Sequence, residues 1–159
     1  VNIAKNRIES SLSECEKHLN RLRKISAKLS PFFPLSAESL ENLSDETVTG
    51  LDQFLFRFMK LQDAMGTKLF PVLAGIISGS DDPRPFIDTL NILEKHHIIR
   101  SSEEWQNLRV ARNTVAHEYP DSADQTVEAL NLLLSDWTVL ERMFVELKDY
   151  YWKNLSSRI

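Results

Sequence analysis

The sequence predicts an all-α fold: one domain over residues 1–159, an up-and-down bundle of four to five antiparallel helices. Three observations carry this. Apolar residues recur at alternating spacings of three and four through most of the chain. No segment shows a sustained two-residue alternation. Glycine and proline are scarce, four and six in 159 residues, which disfavours a turn-rich β fold. At 42% hydrophobic and 26% charged the composition is that of an ordinary globular chain large enough for a real core.

The first helix is expected over residues 3 to 29. Ile8, Leu12, Cys15, Leu19, Leu22 and Leu29 form its stripe, with Ile25 near the missing step, and Pro31 and Pro34 end it. The segment PFFPLSAESLENLSD then reads as a connector anchored by Phe32, Phe33 and Leu35. A second helix starts at Ser44 or Asp45, either a suitable N-cap. Its stripe is Val48, Leu51, Leu55, Phe58, Met65 and Leu69, with Phe54 and Leu61 beside it. Gln62 falls within that stripe, and Arg57, Lys60 and Asp63 flank it. Pro71 and Gly75 kink or end this helix. The loop SGSDDPRP leads to a third helix holding Phe86, Ile87, Leu90 and Leu93, which ends near His96 and His97. Ser101 with Glu104 forms a capping box for a fourth helix, bounded by Pro120. Ser122 with Gln125 forms another for the fifth, which runs to about Trp152 through Val127, Leu130, Leu134, Trp137, Leu140, Phe144, Leu147 and Tyr151.

Charge and motif content exclude several classes. The longest apolar run, Leu69 to Ile77, is too short to span a bilayer, so no membrane association is expected. One cysteine permits neither an intrachain disulfide nor a cysteine zinc site, and Cys15 reads as a small core residue. With no basic-then-apolar leader at Val1, a cytoplasmic location is expected. His96 and His97 are adjacent and so point to different sides; a polar helix end is the favoured reading over a metal site. No phosphate-cradling glycine loop or nucleophile elbow is present, and no cofactor is expected. The net charge of −4 argues against non-specific coating of nucleic acid. Its distribution is uneven: residues 1–30 carry seven Lys/Arg against three Glu, the remainder twelve against twenty acids. The basic first segment reads as a solvated helix face, and any contact with RNA would have to be local.

The chemistry-bearing stretch is WQNLRVARNTVAHEYP, residues 105–120. On a wheel of about 100° per residue, Trp105, Leu108, Val115 and Ala116 share one line, with Arg112 at its middle and Tyr119 seven residues on. A guanidinium centred on an apolar stripe needs a partner, because burying a lone charge is costly. One reading pairs it with an acidic residue of a neighbouring helix, such as Asp63. The other is functional. Arginine binds phosphate with its planar fork and stabilises charge on a phosphorane. His117, on the next face with Asn113, can move a proton to or from a ribose hydroxyl. That pair suffices for metal-independent RNA cleavage by attack of a 2′-OH on its own phosphodiester.

RNTVAHEY resembles the R-x4-6-H hallmark of HEPN domains, and more narrowly the R-N-x-x-x-H-x-Y of HepT-type toxins. The preceding WQNLRVARN is similar to that group as well. RFMKLQDAMGTKLF resembles the second helix of some HEPN proteins, so the likeness covers most of the chain. The resemblance implies a homodimer in which two motifs face one another across a cleft, with Arg112 and His117 as the ribonuclease pair. Asn113 would orient the phosphate or its neighbours. It implies a nucleotidyltransferase antitoxin of the MNT type, which can silence such toxins by AMPylation of the motif tyrosine, here Tyr119. Glu118 adds a negative charge close to any bound phosphate. Other members of this broad group are non-catalytic helical subunits that bind the nucleotidyltransferase, which is the alternative reading for this chain.

Overall fold

The computed structural model describes residues 2–116 and 123–159, and among these there is helix and no strand. The architecture is the all-α bundle that the apolar spacing predicts.

Helix α1 (Ile3–Leu29) starts where the Asn2 side chain accepts the Lys5 N–H. It buries Ile8, Leu12, Cys15, Leu19, Leu22, Ile25 and Leu29, the stripe expected of it. Burial in that stripe pushes the Cys15 thiol pKa up to about 12. A short turn follows, and then a helix that the spacing did not announce. Helix α2 (Ala37–Glu41) lies within the expected connector and is set by a capping box of two serines, Ser36 and Ser39. Leu35 just before it is buried.

Helix α3 (Asp45–Ala64) is capped by Ser44, whose side chain accepts the Thr47 N–H. Its buried residues include Leu51, Phe54, Phe58, Leu61 and Gln62, whereas Val48 is exposed. Pro71 does not end the rod. It has no N–H to offer the carbonyl four residues back, and the chain absorbs this as a π turn over Met65–Leu69, where the Phe70 N–H reaches the Met65 carbonyl. Helix α4 (Phe70–Ser78) continues the rod and stops at Gly79, which takes the left-handed conformation (φ 71°) that glycine adopts without strain. Helix α5 (Phe86–Lys95) buries Leu90 and Leu93, with Ile87 exposed. Helix α6 (Ser102–Ala116) begins beside Ser101, which accepts the Glu104 N–H. The box is half made, because the Glu104 carboxylate turns instead to Arg142. Helix α7 (Ala123–Tyr150) passes into a second π turn over Tyr151–Leu155. The expected Ser122 cap lies outside the described residues. Within LLL at 132–134 the buried leucine is Leu133, not Leu134.

Cross-helix pairs give the directions. On α1 and α7, Glu9 meets Tyr151, Glu16 meets Lys148 and Arg23 meets Glu141, so the two run antiparallel. On α1 and α3, His18 meets Arg57, and Gly50 lies against Ile25 and Leu29, again antiparallel. Glu104 on Arg142 ties α6 to α7. No helix among the described residues is long and apolar enough to cross a membrane.

One side chain fastens the connector to the bundle. Asn131 of α7 accepts the Leu35 N–H at 2.7 Å and donates to the Leu35 carbonyl at 2.9 Å, imitating a strand partner. Asn131→Ala leaves both backbone groups without partners beside a buried leucine. The expected loss is about 1–3 kcal/mol, read as a melting point about 3–8 °C lower. An unchanged melting point would show that water replaces the amide at no cost.

Candidate functional site

The cleft sits where α6 crosses the rod formed by α3 and α4. Trp105 anchors it. Its ring is buried against Phe70 at 4.6 Å between centroids and against Phe86 at 6.2 Å. Gly66, in the π turn, allows this approach: a Cβ there would stand 3.0 Å from Cζ2 of the indole. Leu108 and Ala111 complete the buried face of α6, with Val115 half-buried. Ala116, placed on that face by the wheel, is exposed, and Ala111 takes its place. An alanine pair five residues apart differs too little in burial energy to mark a face.

Two turns beyond Trp105, Arg112 reaches back across the seam. Its Nη1 donates to Asp63 Oδ1 at 2.5 Å and to Gln62 Oε1 at 3.3 Å. The Arg112 side chain is 12% exposed and that of Asp63 55% exposed, so the pair straddles the boundary between core and solvent. Gln62 is itself buried, and its amide donates to the Trp105 carbonyl at 3.4 Å. Hence the polar residue in the apolar stripe of α3 answers the charged residue in the apolar stripe of α6. The acidic partner named from the sequence is the one that Arg112 takes.

Gln62, Asp63, Gly66, Thr67, Phe86, Trp105, Arg109 and Arg112 line a cleft of about 260 Å³. Arg109 stands one turn before Arg112 with its guanidinium 5.9 Å from the centre of the Phe86 ring. Two buried donors at this cleft, Arg112 Nε and Trp105 Nε1, have no acceptor among the described residues. A buried unsatisfied N–H costs about 1–3 kcal/mol, and both of these atoms are closed to solvent. The site thus has two cations, one neutral amide and one carboxylate that already holds Arg112, so an anion reaches the guanidinium by displacing Asp63.

Of the residues singled out in the sequence, Arg112 lies at the cleft wall and Asn113 is exposed on the next face. His117, Glu118 and Tyr119 lie outside the described residues. Sequence reasoning missed Arg109, Gly66 and Phe86. The R-x-x-R spacing of Arg109 and Arg112 and a glycine inside a helical pattern were the available signals. His96 caps α5 and His97 takes a left-handed conformation (φ 60°), both exposed. Among the described residues no three His, Cys, Asp or Glu side chains gather as metal ligands.

Comparison with protein-family models, with curated proteins and with solved structures gives no significant match to this chain.

Proposed function

We infer that this chain is a metal-independent endoribonuclease of the HEPN type, the toxin half of a toxin–antitoxin pair. The observation that carries this reading is Arg112: a mostly buried guanidinium at the wall of a cleft, with Arg109 one turn before it. A phosphodiester entering the cleft would exchange for the half-exposed Asp63 carboxylate on Nη1, while the buried Gln62 keeps the guanidinium aimed. His117 takes the proton of a ribose 2′-OH. The 2′ oxygen then bonds to phosphorus and the bond from phosphorus to the 5′ oxygen breaks. The products are a cyclic 2′,3′-phosphate and a 5′-hydroxyl that takes up a proton. Arg112 stabilises the phosphorane between them.

In the same reading the chain works as a homodimer, with its cleft shared between two motifs. Its antitoxin is a nucleotidyltransferase of the MNT type. Transfer of AMP to the Tyr119 hydroxyl, with release of pyrophosphate from ATP, would set a bulky anion beside Arg112 and close the phosphate site. A second reading is favoured by the Arg112–Asp63 pair itself. An arginine already engaged by a carboxylate suits a non-catalytic helical subunit of a nucleotidyltransferase.

Induced expression in a bacterial host separates the two. The toxin reading expects growth arrest that His117→Ala relieves, and an added AMP mass that disappears in Tyr119→Phe when the antitoxin is co-expressed. Arrest that persists in both Arg112→Ala and His117→Ala, with the fold intact, would sink the mechanism.

A further inference from the structure

Away from the cleft, the structure gathers the positive charge of the first segment into one band. Lys17, Arg21, Lys24 and Lys28 fall within about 60° of one line on α1. All four are exposed, and among the described residues none forms an ion pair. The neighbouring Arg23 differs in this respect: it is held by Glu141 and Glu16. The unpaired row spans about 16 Å of helix, enough for several consecutive phosphates of one strand.

The row borders the seam with α3. His18, between Lys17 and Arg21 on the wheel side that meets α3, bonds Arg57 Nη1 at 3.1 Å. Burial, and then the Arg57 charge, hold the His18 pKa below its ordinary value, so the imidazole stays a neutral acceptor. Arg57 in turn lies 5.3 Å from the ring centre of Phe56, and Lys60 lies 5.6 Å from it. Phe56 is 50% exposed, its ring shared between these two cations. By the wheel, six cations and one half-exposed aromatic ring therefore share a face in a chain whose net charge is −4. Glu46 and Asp52, the latter one turn before Phe56, are exposed acids of α3 beside this face, and Glu14 at its other end is already engaged by Lys68.

We propose that this band, Lys17, Arg21, Lys24 and Lys28 with Arg57, Lys60 and Phe56, binds the phosphate backbone of single-stranded RNA, Phe56 serving as a stacking platform for a base. Cations that track a backbone beside an exposed ring are what sequence-tolerant binding of a single strand requires. A purely acidic protein partner would give the ring no role. The choice of RNA rests on the ribonuclease reading; the affinity of the band for a polyanion does not.

The test is fluorescence anisotropy with a labelled 20-nucleotide single-stranded RNA, in a His117→Ala background that keeps the strand whole. The four contacts of the α1 row alone predict an affinity at least about 50-fold lower at 200 mM than at 50 mM salt. Replacing Lys17, Arg21, Lys24 and Lys28 together by Gln is expected to weaken binding at 50 mM salt at least about tenfold and to flatten that salt dependence. Phe56→Ala is expected to cost about tenfold with the salt dependence kept. Lys95→Gln with Lys153→Gln, two exposed cations elsewhere, controls for half of that change in net charge and should bind as the parent does. Parent-like binding by the four-fold variant, with its melting point unchanged, overturns the proposal. Poly-L-glutamate competing as well as RNA per charge, with Phe56→Ala silent, would reassign the band to an acidic protein surface. Cleavage by the parent chain is read separately. Band-dependent binding without cleavage sinks the ribonuclease reading alone, and cleavage indifferent to the four substitutions sinks the band alone.

Discussion

On the ribonuclease reading, Arg112→Met is expected to lower RNA cleavage by about 10²-fold or more while shifting the melting point by no more than about 3 °C. The two effects separate because Arg112 carries different weight in each. Removing a donor aimed at developing negative charge costs about 10²–10³ in rate. For stability, methionine refills the space of the arginine stem and needs no partner. The carboxylate left behind, Asp63, is more than half exposed and turns to water, and the buried Gln62 oxygen loses only the longer of the two bonds, 3.3 Å, a cost within that limit. The reverse deletion is the harsher one for the fold. Asp63→Ala strips the partner from the more buried group and is expected to cost about 1–2 kcal/mol, less than for a fully buried pair because solvent still reaches the site. Cleavage kinetics and thermal melts on the two variants measure both halves. Parent-like cleavage by Arg112→Met would assign the guanidinium to structure and favour the non-catalytic subunit.

The largest loss of stability is expected from Trp105→Ala, about 3–5 kcal/mol, with the melting point falling by about 10 °C or more. The indole is buried and is the shared contact of Phe70, Phe86 and Gly66. Three elements meet on it: the π turn with α4, the start of α5, and α6. Truncation leaves a cavity that none of them can close by moving alone. Denaturant unfolding checks the figure; a loss below about 1 kcal/mol would mean that the α5–α6 region collapses freely onto the rod. Trp105→Phe, which keeps most of the ring contact, is expected to lose less than half as much.

Long helices were legible because their apolar residues are regular. The stripe from Ile8 to Leu29 is unbroken, so the helix bounds Ile3–Leu29 match the expectation of 3 to 29. Helix α2 was not legible, since five residues are too few for a period and its signal is a pair of serines. Leu133 against Leu134 was not legible either: consecutive leucines satisfy two faces equally. At the site, Asp63 could be named because an arginine in an apolar stripe demands an acid on a nearby flank. Its helper Gln62 was visible as a polar residue out of place. Arg109 and Phe86 belong to the cleft only because α5 and α6 fold back onto the rod, a relation no local pattern encodes.

The π turn at Met65–Leu69 acts as a counter that skips a beat. An α-helix advances about 100° per residue, so continued without interruption from Phe54 and Leu61 it would swing Leu73 round by that angle, away from the line those two define. The extra residue in the turn takes up that angle. Phe70, Leu73 and Ala74 come back into phase with the face below and are buried there. A helix wheel drawn through residues 45–78 as one object therefore misreports half of it. Two wheels, offset by one position at the turn, report both halves, and the glycine that admits Trp105 sits at the offset.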